Sequence, residues 1–159
     1  MKTTFTRLLS VAVLAACVHT AFAADTEPAP ASVDKLAAAR AQIEAKSWRG
    51  AIEELKKVND TGSADWNNLM GYSLRKSGSA NAAESERYYN EALRIDPRHK
   101  AALEYSGELY LMKGDLPKAE SRLAVLDKVC RLGCSEYTDL KKAIAAYKAN
   151  GNKVVAATN

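Results

Sequence analysis

The fold is encoded most clearly in ALEYSGELYLMKGDLPKAESRLAVL, residues 102–126. Three positions in its second half recur at a constant step upstream, and they recur again after a second step of the same length. In chain order the three sets are Ala51, Leu55 and Val58, then Ser85, Tyr89 and Ala92, and then Ala119, Leu123 and Leu126. A fixed step of about 34 residues is the signature of a repeat architecture, so we infer three helices that share one register.

The middle unit carries further matching residues. Gly71, in NLMGYSLRKSG at residues 68–78, corresponds to Gly107, although the step between these two glycines is longer than the repeat by two positions. We assign the two extra residues to the loop SGSANAA, residues 77–83. Small residues at such positions allow the two helices of a hairpin to approach closely.

The quoted stretch resembles the tetratricopeptide repeat, a 34-residue helix-turn-helix unit. The resemblance is carried by Leu103, Gly107, Tyr110, Gly114, Asp115, Ala119, Leu123 and Leu126, while Ser106 replaces one usual leucine. It implies an all-α fold, a short α-solenoid of about three helical hairpins plus a C-terminal capping helix. The expected domain is 32–149, with repeats at 32–63, 64–99 and 100–130, a capping helix at 135–148 and a flexible tail at 150–159.

The boundaries of several helices are also readable. Val33 to Ala45 has the apolar spacing of a first helix, and Trp48 is expected to fill the core beside the turn that follows. Asp96 and Pro97 suit the cap and first turn of a helix, and Asp115 and Pro117 mark the start of the next one. The capping helix has Tyr137, Leu140, Ile144 and Tyr147 at helical spacing, and it should cover the exposed end of the last repeat.

The N-terminus has the features of an export signal. Lys2 and Arg7 precede an apolar stretch, and Ala21-Phe22-Ala23 is a small-x-small ending, which predicts a signal peptide over residues 1–23 and a linker over 24–31. The expected location is the periplasm. An alternative is an outer-membrane lipoprotein, because Leu14-Ala15-Ala16-Cys17 resembles a lipobox whose cysteine would be acylated.

Composition limits the classes of partner. The 159 residues, 47% of them apolar, fit one small domain, and no segment is apolar enough to span a bilayer. Cleavage after Ala23 lowers the net charge from +4 to +2, because Lys2 and Arg7 are removed. A charge this small favours no nucleic-acid partner, since binding to nucleic acid needs a concentrated basic footprint. We expect a monomer.

The stretch CRLGC holds the two cysteines outside the leader, Cys130 and Cys134. Export to an oxidising compartment favours a disulfide that fixes the angle of the capping helix. A thiol-redox or metal-handling role stays open as the alternative. Haem attachment needs a histidine where Ser135 stands, and zinc needs further ligands, whereas His99 belongs to a distant repeat junction.

No enzyme motif is present. The chain has neither a nucleophile elbow nor a phosphate-binding glycine loop, and we predict no catalytic residues, no metal site and no cofactor. The whole chain resembles small exported tetratricopeptide proteins of Gram-negative bacteria that end in a helix of the type CSEYTDLKKAIAAY, residues 134–147.

The resemblance implies a binding scaffold whose first helices line a concave groove for a protein or peptide partner. Helix phase places on that groove Val33, Leu36, Arg40 and Ile43 of the first unit, Asn68, Tyr72, Arg75 and Lys76 of the second, and Glu104, Glu108, Leu111 and Met112 of the third. Some family members clamp a C-terminal carboxylate with lysines and asparagines. Glu104 and Glu108 occupy places where such a clamp needs positive or amide groups, which argues against that mode of binding.

Overall fold

The computed structural model describes residues 34–153, and within that range the chain is all-helical, with no strand. The α-helices are α1 (Ala37–Glu44), α2 (Trp48–Val58), α3 (Ala64–Ser77), α4 (Ala82–Ile95), α5 (Lys100–Met112), α6 (Leu116–Val129) and α7 (Ser135–Ala149). This confirms the all-α prediction. No helix in this range is both long and apolar enough to cross a membrane. The predicted signal peptide (1–23), Cys17, the linker (24–31), Val33 and tail residues 154–159 lie outside the described residues.

Helices that are adjacent in sequence pack against each other, and a second set of contacts joins alternate helices. The odd-numbered helices touch in order, α1 with α3, α3 with α5 and α5 with α7. Between residues 34 and 153, the backbone of α4 approaches neither that of α2 nor that of α6 closely, although Arg122 of α6 donates a hydrogen bond to Oδ1 of Asn90 on α4 at 3.1 Å. The odd-numbered helices are therefore closer together than the even-numbered ones. We call the side formed by α1, α3 and α5 the inner face.

The core consists of two hydrophobic clusters. The first joins α1, α2 and α3 through Leu36, Ala39, Leu55, Trp66, Leu69, Met70 and Leu74. The second joins α4 to α7 and includes Tyr89, Leu103, Leu109, Leu126, Leu140 and Ile144. Within the first cluster, the indole N–H of Trp66 donates to the backbone carbonyl of Leu55 at 2.7 Å, which satisfies the one polar atom of a buried ring.

Two glycines stand where helices approach closely. A Cβ on Gly71 would lie 3.0 Å from the Tyr89 ring, and the Ser85 hydroxyl donates to the Gly71 carbonyl at 2.6 Å, so α3 and α4 meet closely as predicted. A Cβ on Gly107 would lie 2.6 Å from Leu140. The nearest neighbour of a side chain at Gly107 is therefore Leu140 of α7 rather than a residue of α6, its hairpin partner, which differs from the sequence-based assignment. The chain needs this glycine because Leu140 occupies the space.

Helix starts agree with the prediction in one case and differ in two. Asp115 caps α6 by accepting the Lys118 N–H at 3.2 Å, and Pro117 lies in the first turn, as expected. Asp96 and Pro97, in contrast, lie in the turn before α5, and the cap is His99, whose Nδ1 accepts the Ala102 N–H at 3.1 Å. The first helix starts at Ala37 rather than Val33.

The cap of α5 also ties this helix to α3. Nε2 of His99 lies 2.9 Å from Oδ1 of Asp65, in the first turn of α3. Because Nδ1 accepts a backbone N–H, Nε2 carries the proton and donates to Asp65. One imidazole thus satisfies an orphan amide of α5 and joins the starts of α3 and α5.

The connection between α3 and α4 contains a short 3-10 turn at Ser79–Asn81, inside the loop to which the two extra residues were assigned. Helix α7 spans Ser135–Ala149, and the prediction of a final helix at 135–148 differs from it by one residue. Leu140, Ile144 and Tyr147 of α7 are buried against the second core cluster.

Candidate functional site

Aromatic rings from three helices meet on the inner face. The rings of Tyr72 on α3 and Tyr105 on α5 have centroids 4.7 Å apart, and Trp48, the first residue of α2, meets Tyr72 edge-on at 5.9 Å. We call Trp48, Tyr72 and Tyr105 the aromatic row. All three side chains are half-buried, so Trp48, which was predicted to fill the core, lies partly at the surface instead. The row therefore runs from the start of α2 across α3 to α5.

Arg75 binds to the aromatic row from one side. Its guanidinium carbon lies 5.5 Å from the Tyr72 centroid and 5.6 Å from the Tyr105 centroid, and Nη2 lies 2.7 Å from Oε2 of Glu108. The side chain is only 9% exposed. Such a cation, stacked on two rings and paired with a carboxylate, is held in one orientation. Arg75 therefore connects α3 and α5 rigidly.

The structure thus brings together three predicted groove residues, Tyr72, Arg75 and Glu108. Two further predicted groove residues, Met112 and Lys76, lie at the edge of this group. Nη1 of Arg75 lies 4.0 Å from Sδ of Met112, which is 41% exposed. The ammonium of Lys76 lies 5.6 Å from the Trp48 centroid and is exposed. Both side chains are therefore accessible to a partner.

Other predicted residues are placed differently. Arg40 forms salt bridges of 3.5 Å with Asp34 and with Asp65, so it lies at the start of α3, away from the aromatic row. Asn68 is 4% exposed and Leu111 is 5% exposed, and Leu111 belongs to the second core cluster. These two side chains pack inside the molecule, where they support the face rather than line it.

Glu104 is a nearly buried carboxylate at the α7 side of the inner face. It is 9% exposed and forms no salt bridge with any residue in the described range. Burial, together with the charges of Glu108, Asp139 and Glu136, raises the pKa of Glu104 to about 7. Because Glu104 is unpaired, it can accept a hydrogen bond or a cation from a partner.

Tyr105, Glu136 and Asp139 are contributors to this site that sequence reasoning missed. Tyr105 lies three residues before Glu108, which is one helical turn, so helix phase alone could have identified it. Burial raises the pKa of Tyr105 to about 12, helped by the neighbouring Glu104 charge. Glu136 and Asp139 come from α7, which was expected to cover the last repeat, but no pattern in the sequence identifies these two carboxylates as neighbours of Glu104.

Cys130 and Cys134 form a disulfide, in agreement with the prediction. The bond encloses the turn between α6 and α7, and Sγ of Cys134 accepts the Tyr137 N–H at 3.4 Å at the start of α7. In residues 34–153, no group of three or more histidine, cysteine, aspartate or glutamate side chains is placed to hold a metal ion.

A search of protein-family models finds no match for the chain, and a search of the curated proteins also finds none.

Proposed function

We propose that this protein is a periplasmic interaction module of the tetratricopeptide type, which binds a peptide or helix of an envelope protein on its inner face. In this proposal the hairpins α1–α2, α3–α4 and α5–α6 are three repeats of an α-solenoid, and α7 is the cap. Export follows from the signal peptide predicted over residues 1–23.

The repeat assignment is supported by burial at equivalent positions. Ala51, Ser85 and Ala119 follow one another at the constant repeat step, and each is 0% exposed. The contacts between successive odd-numbered helices support a stack that curves toward the inner face. A repeat register and a consistent curvature are what a solenoid requires.

The observation that carries the binding proposal is the aromatic row with Arg75 and Glu108. Tyrosine, tryptophan and arginine are enriched among the residues that dominate binding energy at protein interfaces. Here the three rings are half-buried and the Arg75 side chain is nearly buried, and ring stacking and an ion pair fix them, so little side-chain entropy is lost when a partner binds. A preorganised polar and aromatic surface of this kind suits an extended peptide or one face of a helix.

A displayed library of random peptides tests the proposal. Peptides that bind the wild-type protein should bind at least ten times more weakly to an inner-face variant, Lys76→Glu with Met112→Ser, measured by fluorescence anisotropy. These two side chains are exposed at the edge of the aromatic row, so their replacement leaves the core intact. The matched control, Lys56→Glu with Ala124→Ser, makes the same charge change at exposed positions of α2 and α6. Equal losses in both variants, or no enriched peptide, would overturn the proposal.

A second candidate function is thiol redox chemistry at Cys130 and Cys134, and the observation that favours it is the disulfide itself. A redox-active pair should be found partly reduced in protein purified under native conditions and should be reduced readily by dithiothreitol. Quantitative thiol titration decides the point, because a fully formed and reduction-resistant disulfide leaves only a structural role.

A further inference from the structure

A basic cleft lies away from the inner face, between the α4–α5 turn and the C-terminal half of α6. Its volume is about 530 Å³, and it is lined by Arg98, Val125, Lys128, Val129 and Arg131. The two valines are half-buried and form an apolar floor, and the three cationic side chains are exposed around it. The cleft therefore combines apolar surface with positive charge.

The positive charge of this cleft is not neutralised by ion pairs. In the described part of the chain, none of Arg98, Lys128 and Arg131 forms a salt bridge, whereas many other cations do. Asp96 is the carboxylate that contacts a cleft residue, and it accepts the backbone N–H of Arg98 at 2.9 Å rather than its guanidinium. Three cations around one cleft favour an anionic ligand.

Leu132 adds an apolar tip beside this charge. Its side chain is fully exposed, and it lies between Cys130 and Cys134, whose disulfide fixes both ends of the loop. A large aliphatic side chain held completely in water has an unfavourable hydration free energy, and burial of the side chain would recover it. The loop presents Leu132 and Arg131 next to each other.

We propose that the basic cleft and the 130–134 loop form a peripheral binding site for an anionic lipid surface. The cations of the cleft contact lipid phosphates, and Leu132 inserts among the acyl chains just below them. A bilayer surface has this same layering, with negative charge outside and hydrocarbon beneath. An acidic protein would need its own pocket for the protruding leucine, whereas acyl chains accept an aliphatic tip of any shape.

This site is independent of the inner face, because it uses the α4–α5 turn, α6 and the 130–134 loop. Both surfaces can therefore be occupied at once. A protein that holds a partner on one side and a membrane on the other would concentrate that partner at the lipid surface, without any membrane-spanning helix in the described range.

Vesicle binding tests the proposal. We expect the oxidised protein to sediment with vesicles made of roughly one part phosphatidylglycerol to two parts phosphatidylcholine, more weakly as salt rises, and not with pure phosphatidylcholine. The triple variant Arg98→Gln, Lys128→Gln and Arg131→Gln should bind about 100-fold more weakly, since each cation near such a surface contributes about fivefold. Leu132→Ser should weaken binding about tenfold. The wild type and every variant carry the same residues outside the described range, so differences in their vesicle affinity arise from the cleft and the loop.

The matched control is Lys46→Gln, Arg49→Gln and Lys56→Gln, which removes three exposed cations from the first hairpin and should bind as the wild type does.

In a Leu132→Trp variant, tryptophan emission should shift to shorter wavelength with phosphatidylglycerol vesicles. Equal weakening by the control and cleft triples would overturn the proposal. So would the absence of vesicle binding together with binding of a soluble poly-glutamate probe, because the site would then recognise acidic protein.

Discussion

Gly107 is the residue on which the attachment of the last helix depends. A side chain there would meet Leu140 of α7, which is 0% exposed and cannot move aside into solvent. We expect Gly107→Val to lower the free energy of unfolding by about 2–3 kcal/mol, because added methyl groups overpack a closed helix crossing. Urea denaturation measures the change.

Gly62→Val is the matched control for this prediction, because a Cβ at Gly62 has nothing within 4 Å. Its unfolding free energy should stay within about 0.5 kcal/mol of the wild type. If Gly107→Val were equally neutral, the close approach of α5 and α7 would be wrong.

Glu104 gives the fold a pH dependence near neutrality. Its pKa rises from 4.5 to about 7 in the folded protein, because of burial and the charges of Glu108, Asp139 and Glu136, while Arg75 opposes the rise. Between these pH values the folded state holds a proton that the unfolded chain has released. The contribution of Glu104 to the free energy of unfolding is therefore complete below pH 4.5. It is lost as the pH rises through about 7, because the buried carboxyl group then becomes charged.

Glu104→Gln removes this titration, since glutamine stays neutral and occupies a similar volume. We expect the variant to be more stable than the wild type by about 1–2 kcal/mol at pH 8, after allowance for solvent screening, and by much less at pH 4.5. Urea unfolding at several pH values measures the difference. Glu53→Gln, at an exposed position of α2, should show no such trend. A Glu104→Gln effect that is constant with pH would contradict the assignment.

Among the helices, α7 is held both by side chains and by a covalent bond. Leu140, Ile144 and Tyr147 pack on the second core cluster, and the disulfide fixes the turn before the helix. Closing so short a loop restricts the unfolded chain and contributes about 2 kcal/mol. The bond and the packing together determine how α7 lies on the second core cluster.

Replacing both Cys130 and Cys134 with serine should lower the free energy of unfolding by about 2 kcal/mol. Serine keeps an acceptor for the Tyr137 N–H, so the helix start is preserved and the effect reports the bond alone. Hydrogen exchange should become faster in α7 and stay unchanged in α1 to α3. Dithiothreitol added to the double variant is the control and should change nothing. Unchanged exchange in α7 would mean that packing alone fixes this helix.

The helices were largely predictable from local patterns, and their mutual contacts were not. Apolar spacing and the repeat register place the helices, since both reflect which side of each helix is buried. His99 escaped prediction as the cap of α5, because Asp96 and Pro97 form a stronger local signal. The contact of Gly107 with Leu140, and the burial of Glu104, depend on where α7 packs, which no short-range pattern encodes.

Across the described domain as a whole, contacts join a helix only to neighbours one or two positions away in sequence. The two core clusters follow this order, one across α1 to α3 and the other across α4 to α7. Stability in such a chain is approximately a sum over units and the interfaces between them. The interface between the clusters consists mainly of the packing of α3 on α4, where Tyr89 lies against Gly71. The aromatic row and Arg75 add contacts between α3 and α5, so the candidate binding face contributes to the coupling of the two halves.

This organisation predicts that a core defect acts mainly within its own cluster. Leu55 belongs to the first cluster and Leu126 to the second, and each is 0% exposed. Leu55→Ala and Leu126→Ala should each cost about 2–5 kcal/mol, but in different places. Hydrogen exchange should become faster in α1 to α3 for Leu55→Ala, and in α4 to α7 for Leu126→Ala. Because the substitution and burial are the same, each variant serves as the control for the other. If both variants accelerated exchange equally in all seven helices, the described domain would unfold as one cooperative unit, and the coupling between the clusters through α3, α4 and α5 would exceed the stability of either cluster.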